Sequence, residues 1–159
     1  NGLPIIAEDL GLITPDVVEL RDSFNLPGMK ILQFAFAGTP EDPFLPHNYP
    51  VNCVAYTGTH DNDTSVGWFA SGTEDEKDYC RRYLSVSGEN IAWDLVREIW
   101  KSTAAFAITT LQDLLSLGTE ARMNFPGKPA GNWSWRHKPE DLSPDLLKRL
   151  QELNYLYLR

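Results

Sequence analysis

Two carboxylic acids, Glu8 and Asp61, stand where they could work together as acid and base on a sugar. Each follows an apolar run of the kind that forms a buried strand: residues 3–7 precede Glu8, and residues 51–57 precede the turn that contains Asp61. Hydrolysis or transfer of a glycosidic bond needs two such groups, because one protonates the leaving oxygen and the other stabilises an oxocarbenium-like centre. Partial desolvation by Ile5 and Ile6 would keep Glu8 protonated, as a general acid requires. The alternative is that Glu8 or Asp9 only caps a backbone turn.

The segment from His60 to Asp63 also has the alternating acids of a hard-cation site. The calcium-loop signature, with its glycine and distant glutamate, is absent, so a polar turn at a strand end is the preferred interpretation and no metal is expected. The sequence also lacks a glycine-rich phosphate loop, a Cys-Cys metal pair and a Ser-His-Asp order. We therefore expect no cofactor.

Six aromatic residues lie on or beside the segments that carry these polar groups. Flat apolar faces with a polar tip suit sugar rings, which present C–H groups on one face and hydroxyls at the edge. Most aromatic side chains nevertheless pack in cores, and we expect two of the six to be exposed to a ligand. The six are Phe34, Tyr56, Trp68, Phe125, Trp133 and Trp135.

The charge and the apolar content exclude several classes of partner. The chain has 14 Lys and Arg against 22 Asp and Glu, a net charge of −8, and its longest basic run is Arg81-Arg82, which argues against nucleic acid. No stretch approaches the roughly 18 apolar residues of a membrane span. Cys53 and Cys80 are interpreted as two buried thiols in a reducing compartment. We place the protein in the cytoplasm, or in a plastid if the source is a plant.

Alternation of strands and helices predicts an α/β fold of parallel strands with helices packed outside. The polar groups follow the carboxyl ends of the strands, where barrel enzymes gather their active sites. A full eight-stranded barrel needs about 250 residues, so four strands in 159 residues resemble half of one. The predicted strands are 3–7, 29–36, 51–57 and 104–111, the predicted helices are 15–24, 73–84, 89–102 and 143–158, and a long loop is predicted over 118–139.

Several long motifs, in the same order, resemble the 4-alpha-glucanotransferases, which are also called amylomaltases or disproportionating enzymes. The resemblance covers nearly the whole chain, and the agreement of many motifs makes it specific. The motifs are IAEDLG at 6–11, LPGMKILQFAF at 26–36, FLPHNY at 44–49, YTGTHDNDT at 56–64, EARMN at 120–124 and WSWR at 133–136.

The resemblance implies a (β/α)8 TIM barrel of the alpha-amylase clan, with residues 1–159 forming its C-terminal half from about the fifth strand and the N-terminal half absent. Such enzymes move α-1,4-glucan segments between maltooligosaccharides, or to glucose, with retention and without a cofactor. Glu8 would be the acid/base and Asp61 the transition-state-stabilising carboxylate. His60 would contact the sugar at the cleavage site, and Asn124 and Phe34 match positions near bound sugars.

Two departures from the family pattern matter. The family's nucleophile is an Asp in an Arg-x-Asp motif that would lie upstream of Asn1, and Asp9 and Asp63 are poor substitutes because of their positions beside Glu8 and Asp61. Since double displacement needs a nucleophile, we expect the 159-residue chain alone to be inactive. Ala37-Gly38 also stands where many members carry an acid, which by the resemblance would leave one acceptor-side sugar contact without that acid.

Two open sheet edges, at the strands of residues 3–7 and 104–111, would favour self-association of a free fragment or pairing with the missing half. The alternative functions are a non-catalytic glucan-binding module, in which Glu8 and Asp61 only bind hydroxyls, and an inert structural fragment.

Overall fold

A computed structural model describes residues 4–159, which form a three-stranded parallel sheet with helices around it. The middle strand contains Cys53, which pairs with Gly28, and Val54, which pairs with Phe106. The parallel strands of the prediction are therefore confirmed, and they lie side by side in chain order. In chain order the elements are α1 (Pro15–Ser23), β1 (Gly28–Ile31), β2 (Cys53–Tyr56), α2 (Ser65–Ser71), α3 (Glu74–Leu84), α4 (Ile91–Lys101), β3 (Phe106–Ile108), α5 (Leu111–Leu114) and α6 (Pro144–Tyr157).

The strand predicted over residues 29–36 ends at Ile31, and Leu32–Ala37 forms a 3-10 helix instead. Ile31 pairs with Tyr56, the last residue of β2, so no parallel partner continues the ladder beyond it. The chain then turns across the strand end, where Gln33 donates its backbone N–H to the Thr57 carbonyl oxygen at 3.3 Å. Leu32 and Phe36 are buried by this turn. Apolar composition alone does not distinguish this covering turn from a longer strand.

The strand predicted over residues 3–7 is wrong for its described part, since residues 4–7 are irregular; Leu3 lies outside the described residues. A strand requires a ladder of backbone hydrogen bonds, and here Ala7 donates one, to the Pro27 carbonyl oxygen at 3.0 Å. Within residues 4–159 the edges of the sheet are therefore β1 and β3. The predicted edge at residues 3–7 moves to β1, and the edge near residue 104 is β3.

The fourth predicted strand, 104–111, is shortened to Phe106–Ile108 because a helix begins directly after it. The Thr110 hydroxyl accepts a hydrogen bond from the Asp113 N–H at 3.2 Å and caps α5, which the sequence did not reveal. Helix α2 was also missed, and it is capped in the same way by Thr64, which accepts from the Gly67 N–H.

The four predicted helices are confirmed to within about two residues at each end. Local capping bonds start α3 and α6, whereas Thr14 and Asn90, which precede α1 and α4, make no side-chain cap bond. The capping box of α3 forms as expected: the Thr73 hydroxyl accepts from the Glu76 N–H at 3.3 Å, and the Glu76 carboxylate accepts from the Thr73 N–H at 2.8 Å. Ser143 caps α6, because its hydroxyl accepts a hydrogen bond from the Leu146 N–H. An Ala or Leu side chain at this position could not accept such a bond.

Two apolar clusters form the core, and the first of them includes Cys53 and Ala55 of β2. The first joins the 3-10 helix over residues 32–37 to α4 through Leu32, Phe36, Leu95 and Ile99, and the second packs α4 against α6. Both thiols are free and buried, as predicted. Burial raises the pKa of the Cys80 thiol to about 12. In the described part of the chain, no helix is long and apolar enough to cross a lipid bilayer.

Candidate functional site

Glu8 and Asp61 line the same cavity, as the sequence predicted. The cavity has a volume of about 480 Å³ and lies at the carboxyl ends of β2 and β3, where Tyr56 and Ile108 form part of its wall. Thr59 and Thr109 add hydroxyl groups to it. Asp61 reaches this edge of the sheet because it follows the parallel strand β2. Glu8 reaches it by a different route, since the irregular segment before it is bound through the Ala7 N–H to the Pro27 carbonyl oxygen, just before β1.

Glu8 is exposed in this structure. Residues 4–159 therefore do not provide the desolvation by Ile5 and Ile6 that the sequence predicted, and both isoleucines are themselves exposed. The backbone N–H of Ala7 is bound to the Pro27 carbonyl oxygen, so the segment before Glu8 is fixed next to the start of β1. Glu8 is held at the cavity by this backbone contact.

Asp9 faces away from the cavity, as expected for the neighbour of Glu8. Its carboxylate accepts a hydrogen bond from the Met29 N–H at 2.7 Å and forms an ion pair with Arg21. A Cβ atom at Gly28 would collide with the same carboxylate, so glycine is needed there for Asp9 to approach β1. The alternative interpretation, in which an acid only binds nearby backbone, therefore applies to Asp9, which links α1 to β1.

His60, Asp61 and Asn124 are brought into direct contact. Oδ1 of Asp61 accepts a hydrogen bond from the Asn124 side-chain amide at 2.6 Å, and the His60 Nε2 lies 3.3 Å from the same oxygen. The Asn124 N–H donates to the His60 carbonyl oxygen at 3.0 Å. The ring of Trp133 lies beside the His60 ring, with 5.1 Å between centroids and 35° between planes.

Phe34 lies apart from the Glu8 cavity. It stands on the 3-10 helix over residues 32–37, is 44% exposed, and packs edge-on against Phe44 with 5.4 Å between ring centroids. It lines a second cavity, of about 450 Å³, whose wall also includes Asp61 and Trp68. Phe34 therefore shares a cavity wall with Asp61 but does not line the cavity that Asp61 shares with Glu8.

Phe34 and Trp133 are the two of the six aromatic side chains that are exposed, which agrees with the number expected. Both border residues of the site: Phe34 shares a cavity wall with Asp61, and Trp133 packs against His60. The other four are partly buried. Exposed rings next to Asp61 and His60 give a surface suited to sugar rings.

Arg122 is a site residue that the sequence interpretation did not assign. Its Nη2 donates to the Asp61 carbonyl oxygen at 2.7 Å, and its Nε donates to the Asn124 carbonyl oxygen at 2.9 Å. Its guanidinium carbon lies 4.2 Å from the centre of the Phe125 ring. The one available signal was its place in the EARMN motif, two residues before Asn124.

A buried carboxylate, Asp113, supports the site from behind. It accepts hydrogen bonds from the Thr57 hydroxyl at 2.6 Å and from the Ser65 N–H at 2.7 Å, and so joins α5 to the ends of the segment 57–65. Burial raises the pKa of the Asp113 carboxyl above its ordinary value, and the hydrogen bonds from Thr57 and Ser65 oppose that effect. The segment that carries His60 and Asp61 is thereby fixed at both ends.

Asp63 has a structural partner on each oxygen. It accepts from the Thr64 N–H at 2.8 Å and from the Thr119 hydroxyl at 2.7 Å. Within residues 4–159 no group of three His, Cys, Asp or Glu side chains is arranged to hold a metal ion. These contacts agree with the interpretation of residues 60–63 as a polar turn at a strand end.

Comparisons of this chain with family models, curated proteins and solved structures all find 4-alpha-glucanotransferases or amylomaltases. The family model described as 4-alpha-glucanotransferase matches residues 1–142. The 4-alpha-glucanotransferase of Thermus thermophilus is 52% identical over 95% of this chain, and the chloroplastic/amyloplastic 4-alpha-glucanotransferase of Arabidopsis thaliana is 51% identical over 99%. The amylomaltase of Streptococcus agalactiae, solved in complex with acarbose, superposes with a TM-score of 0.95 at 39% identity over 99% of this chain. The chain spans 32%, 28% and 32% of those proteins, respectively.

Proposed function

We propose, because this chain belongs to the 4-alpha-glucanotransferase family, that it supplies one half of a glucan-transferring active site. Residues 1–159 would form the C-terminal half of a (β/α)8 barrel, from about its fifth strand. The complete protein, meaning this chain with the upstream barrel half, would transfer α-1,4-glucan segments between maltooligosaccharides or to glucose, with retention. The observation that carries the proposal is the single cavity at the strand ends that Glu8 and Asp61 share.

Glu8 is proposed as the general acid and base. It would protonate the glycosidic oxygen as the donor bond breaks, and would then accept the proton of the acceptor 4-hydroxyl as the new bond forms. Its exposed side chain follows a segment that Ala7 binds to Pro27, just before β1. The other half of the barrel would complete the walls around it.

Asp61 is proposed to stabilise the positive charge that develops on the sugar in the transition state. Its Oδ1 is oriented by Asn124 and His60, and among residues 4–159 no donor binds Oδ2, which leaves that oxygen for a sugar hydroxyl. Hydrogen bonds to sugar hydroxyls that strengthen in the transition state contribute several kcal/mol in enzymes of this chemistry. His60 would contact the sugar at the cleavage site, and Asn124 and Phe34 would lie near bound sugars.

The nucleophile of the double displacement is proposed to be an aspartate of the upstream half. Asp9, Asp63 and Asp113 all have partners that hold them away from this task. Retention requires the nucleophile carboxylate to lie about 5–5.5 Å from that of Glu8, and a separation beyond about 6.5 Å would indicate inversion. We therefore propose that the 159 residues by themselves do not transfer glucan.

Incubation with maltotriose, followed by chromatography, tests the proposal. The complete protein should yield both glucose and longer maltooligosaccharides, and Glu8→Gln should lower the rate about 10²- to 10⁴-fold, as expected for loss of a general acid. Asp61→Asn should also abolish most transfer. Glu89→Gln, which neutralises an exposed acid before α4, is the matched control and should keep the wild-type rate.

Each alternative function predicts a different result. A glucan-binding module would bind maltooligosaccharides equally well in wild type and Glu8→Gln, and neither form would produce longer chains. An inert fragment would neither bind nor transfer. Disproportionation at an intact mass of 18.0 kDa would show that the proposed need for an upstream nucleophile is wrong.

A further inference from the structure

The segment from Arg122 to Trp133, called the site loop here, depends on few contacts for its position. Residues 126–131 are exposed, and Gly127 and Gly131 both have φ of +82°, a conformation that favours glycine. Within residues 4–159, three hydrogen bonds join the loop to His60 and Asp61: two are made by Asn124 and one by Arg122. No apolar core residue lies between 126 and 131 to fix the loop by packing.

Arg122 binds both sides of the junction between the site loop and the turn that contains His60 and Asp61. One nitrogen of its guanidinium donates to the backbone of Asp61 and another donates to the backbone of Asn124. The two carbonyl groups belong to the same residues whose side chains meet at 2.6 Å. Arg122 thus fixes the backbone on which the Asn124 amide and the Asp61 carboxylate are carried.

We propose that Arg122 is a positioning residue that holds the site loop against the His60–Asp61 turn and so orients the Asp61 carboxylate through Asn124. Its Nε and Nη2 both donate to backbone carbonyl oxygens, so through these two donors it acts on the site by way of Asn124 and Asp61. The effect on turnover rests on the proposed function, whereas the effect on the loop does not.

The chemistry of the contact requires arginine. A guanidinium is planar and carries five N–H donors in a fixed fork, so one group can donate to two carbonyl oxygens while its face stacks on an aromatic ring. Phe125 provides that ring. A lysine ammonium is a point charge on a flexible stem and does not reproduce the fork. Arg122→Lys, which keeps the charge, should therefore still loosen the junction.

Turnover is the first test. In the complete protein, Arg122→Lys and Arg122→Ala should lower kcat about 10- to 100-fold with little change in KM, because small displacements of a catalytic group cost rate of this order. Guanidinium ion, added well below the concentrations that unfold proteins, should restore part of the kcat of Arg122→Ala. It should not restore Asp61→Asn, which lacks the carboxylate itself.

Arg159 provides the matched control. Its guanidinium also binds backbone carbonyl oxygens, those of Trp100, Ser102 and Ala104, but these precede β3, at the opposite end of the strand from the site. Arg159→Lys should leave kcat unchanged. An equal loss of kcat in both lysine variants would overturn the proposal, because it would reflect general destabilisation.

Amide hydrogen exchange tests the loop independently of activity. The N–H groups of Asn124 and Trp133 are bonded to the carbonyl oxygens of His60 and Met123, so a peptide covering 123–133 should be protected in the wild type. Arg122→Ala should raise its exchange rate at least tenfold, while a peptide from α4 remains unchanged. An unchanged exchange rate in Arg122→Ala, or a kcat equal to that of the wild type, would overturn the proposal. If the wild type does not transfer glucan but Arg122→Ala still raises the exchange rate of the loop, the proposed function fails and the positioning role stands.

Discussion

Replacement of the buried carboxylate Asp113 should separate the two ends of the segment that carries His60 and Asp61. Asp113 is 1% exposed, and its partners Thr57 and Ser65 are both fully buried. Asp113→Ala leaves the Ser65 N–H without an acceptor, while the Thr57 hydroxyl keeps its neighbour Thr109, 3.1 Å away. A buried donor left unsatisfied costs about 1–3 kcal/mol.

The expected destabilisation combines the loss of the hydrogen bonds to Ser65 and Thr57 with the removal of the desolvation penalty of Asp113. Adding a smaller cost for Thr57, and subtracting the desolvation penalty that disappears with the charge, gives a destabilisation of about 2–4 kcal/mol for Asp113→Ala. Asp113→Asn should cost less than about 1.5 kcal/mol. Its amide oxygen still accepts from Ser65, and its NH₂ group donates to the Thr57 hydroxyl oxygen, which in turn donates to Thr109.

The pH dependence has a definite sign. Because burial raises the pKa of the Asp113 carboxyl in the folded state, its contribution to stability is fully present below the unfolded value of about 3.9. That contribution is lost as the pH rises through the raised folded pKa. Asp113→Asn removes the titration, so it should destabilise the protein more at pH 4 than at pH 7.

Amide exchange of a peptide covering residues 57–67 in the complete protein gives the local opening free energy at both pH values, after correction for intrinsic exchange. Asp78→Ala is the control, since its exposed ion pair with Arg82 contributes about 0.3–0.5 kcal/mol and is remote from this segment. An opening free energy for Asp113→Ala within about 0.5 kcal/mol of wild type would refute the reasoning.

Three further predictions concern the core, the thiols and the sheet edges. Leu95→Ala should lower the free energy of unfolding by about 2–5 kcal/mol, because Leu95 is fully buried in the first apolar cluster; chemical denaturation measures this, and a loss below about 1 kcal/mol would contradict it. Cys80 should react with thiol reagents only on unfolding, since burial raises its thiol pKa to about 12, and rapid labelling of the native protein would contradict this. The 159 residues alone should self-associate through β1 and β3, where Phe106 is 54% exposed and Ile108 42%; light scattering that reports a monomer at all concentrations would argue against it.

Helices that begin with local signals could be predicted without knowledge of the fold. Thr73 with Glu76, and Ser143 with Pro144, specify helix starts through hydrogen bonds that span three residues, so no distant contact was needed to predict them. The motifs identified the family. The apolar runs before Glu8 and Asp61 predicted a shared cavity, which is present, although the run before Glu8 does not form the expected strand.

The ends of the strands and the contacts that orient the site depend on the folded chain and could not be predicted from local signals. A strand continues only while a neighbouring strand pairs with it. The end of β1 at Ile31, and the turn that follows at Leu32, therefore could not be predicted without knowing that Ile31 pairs with Tyr56. Arg122 and Asp113 are remote in sequence from the turn they hold, at 61 positions from Asp61 and 56 from Thr57. Their roles depend on hydrogen bonds to particular backbone and hydroxyl groups, and such bonds exist only once the chain is folded.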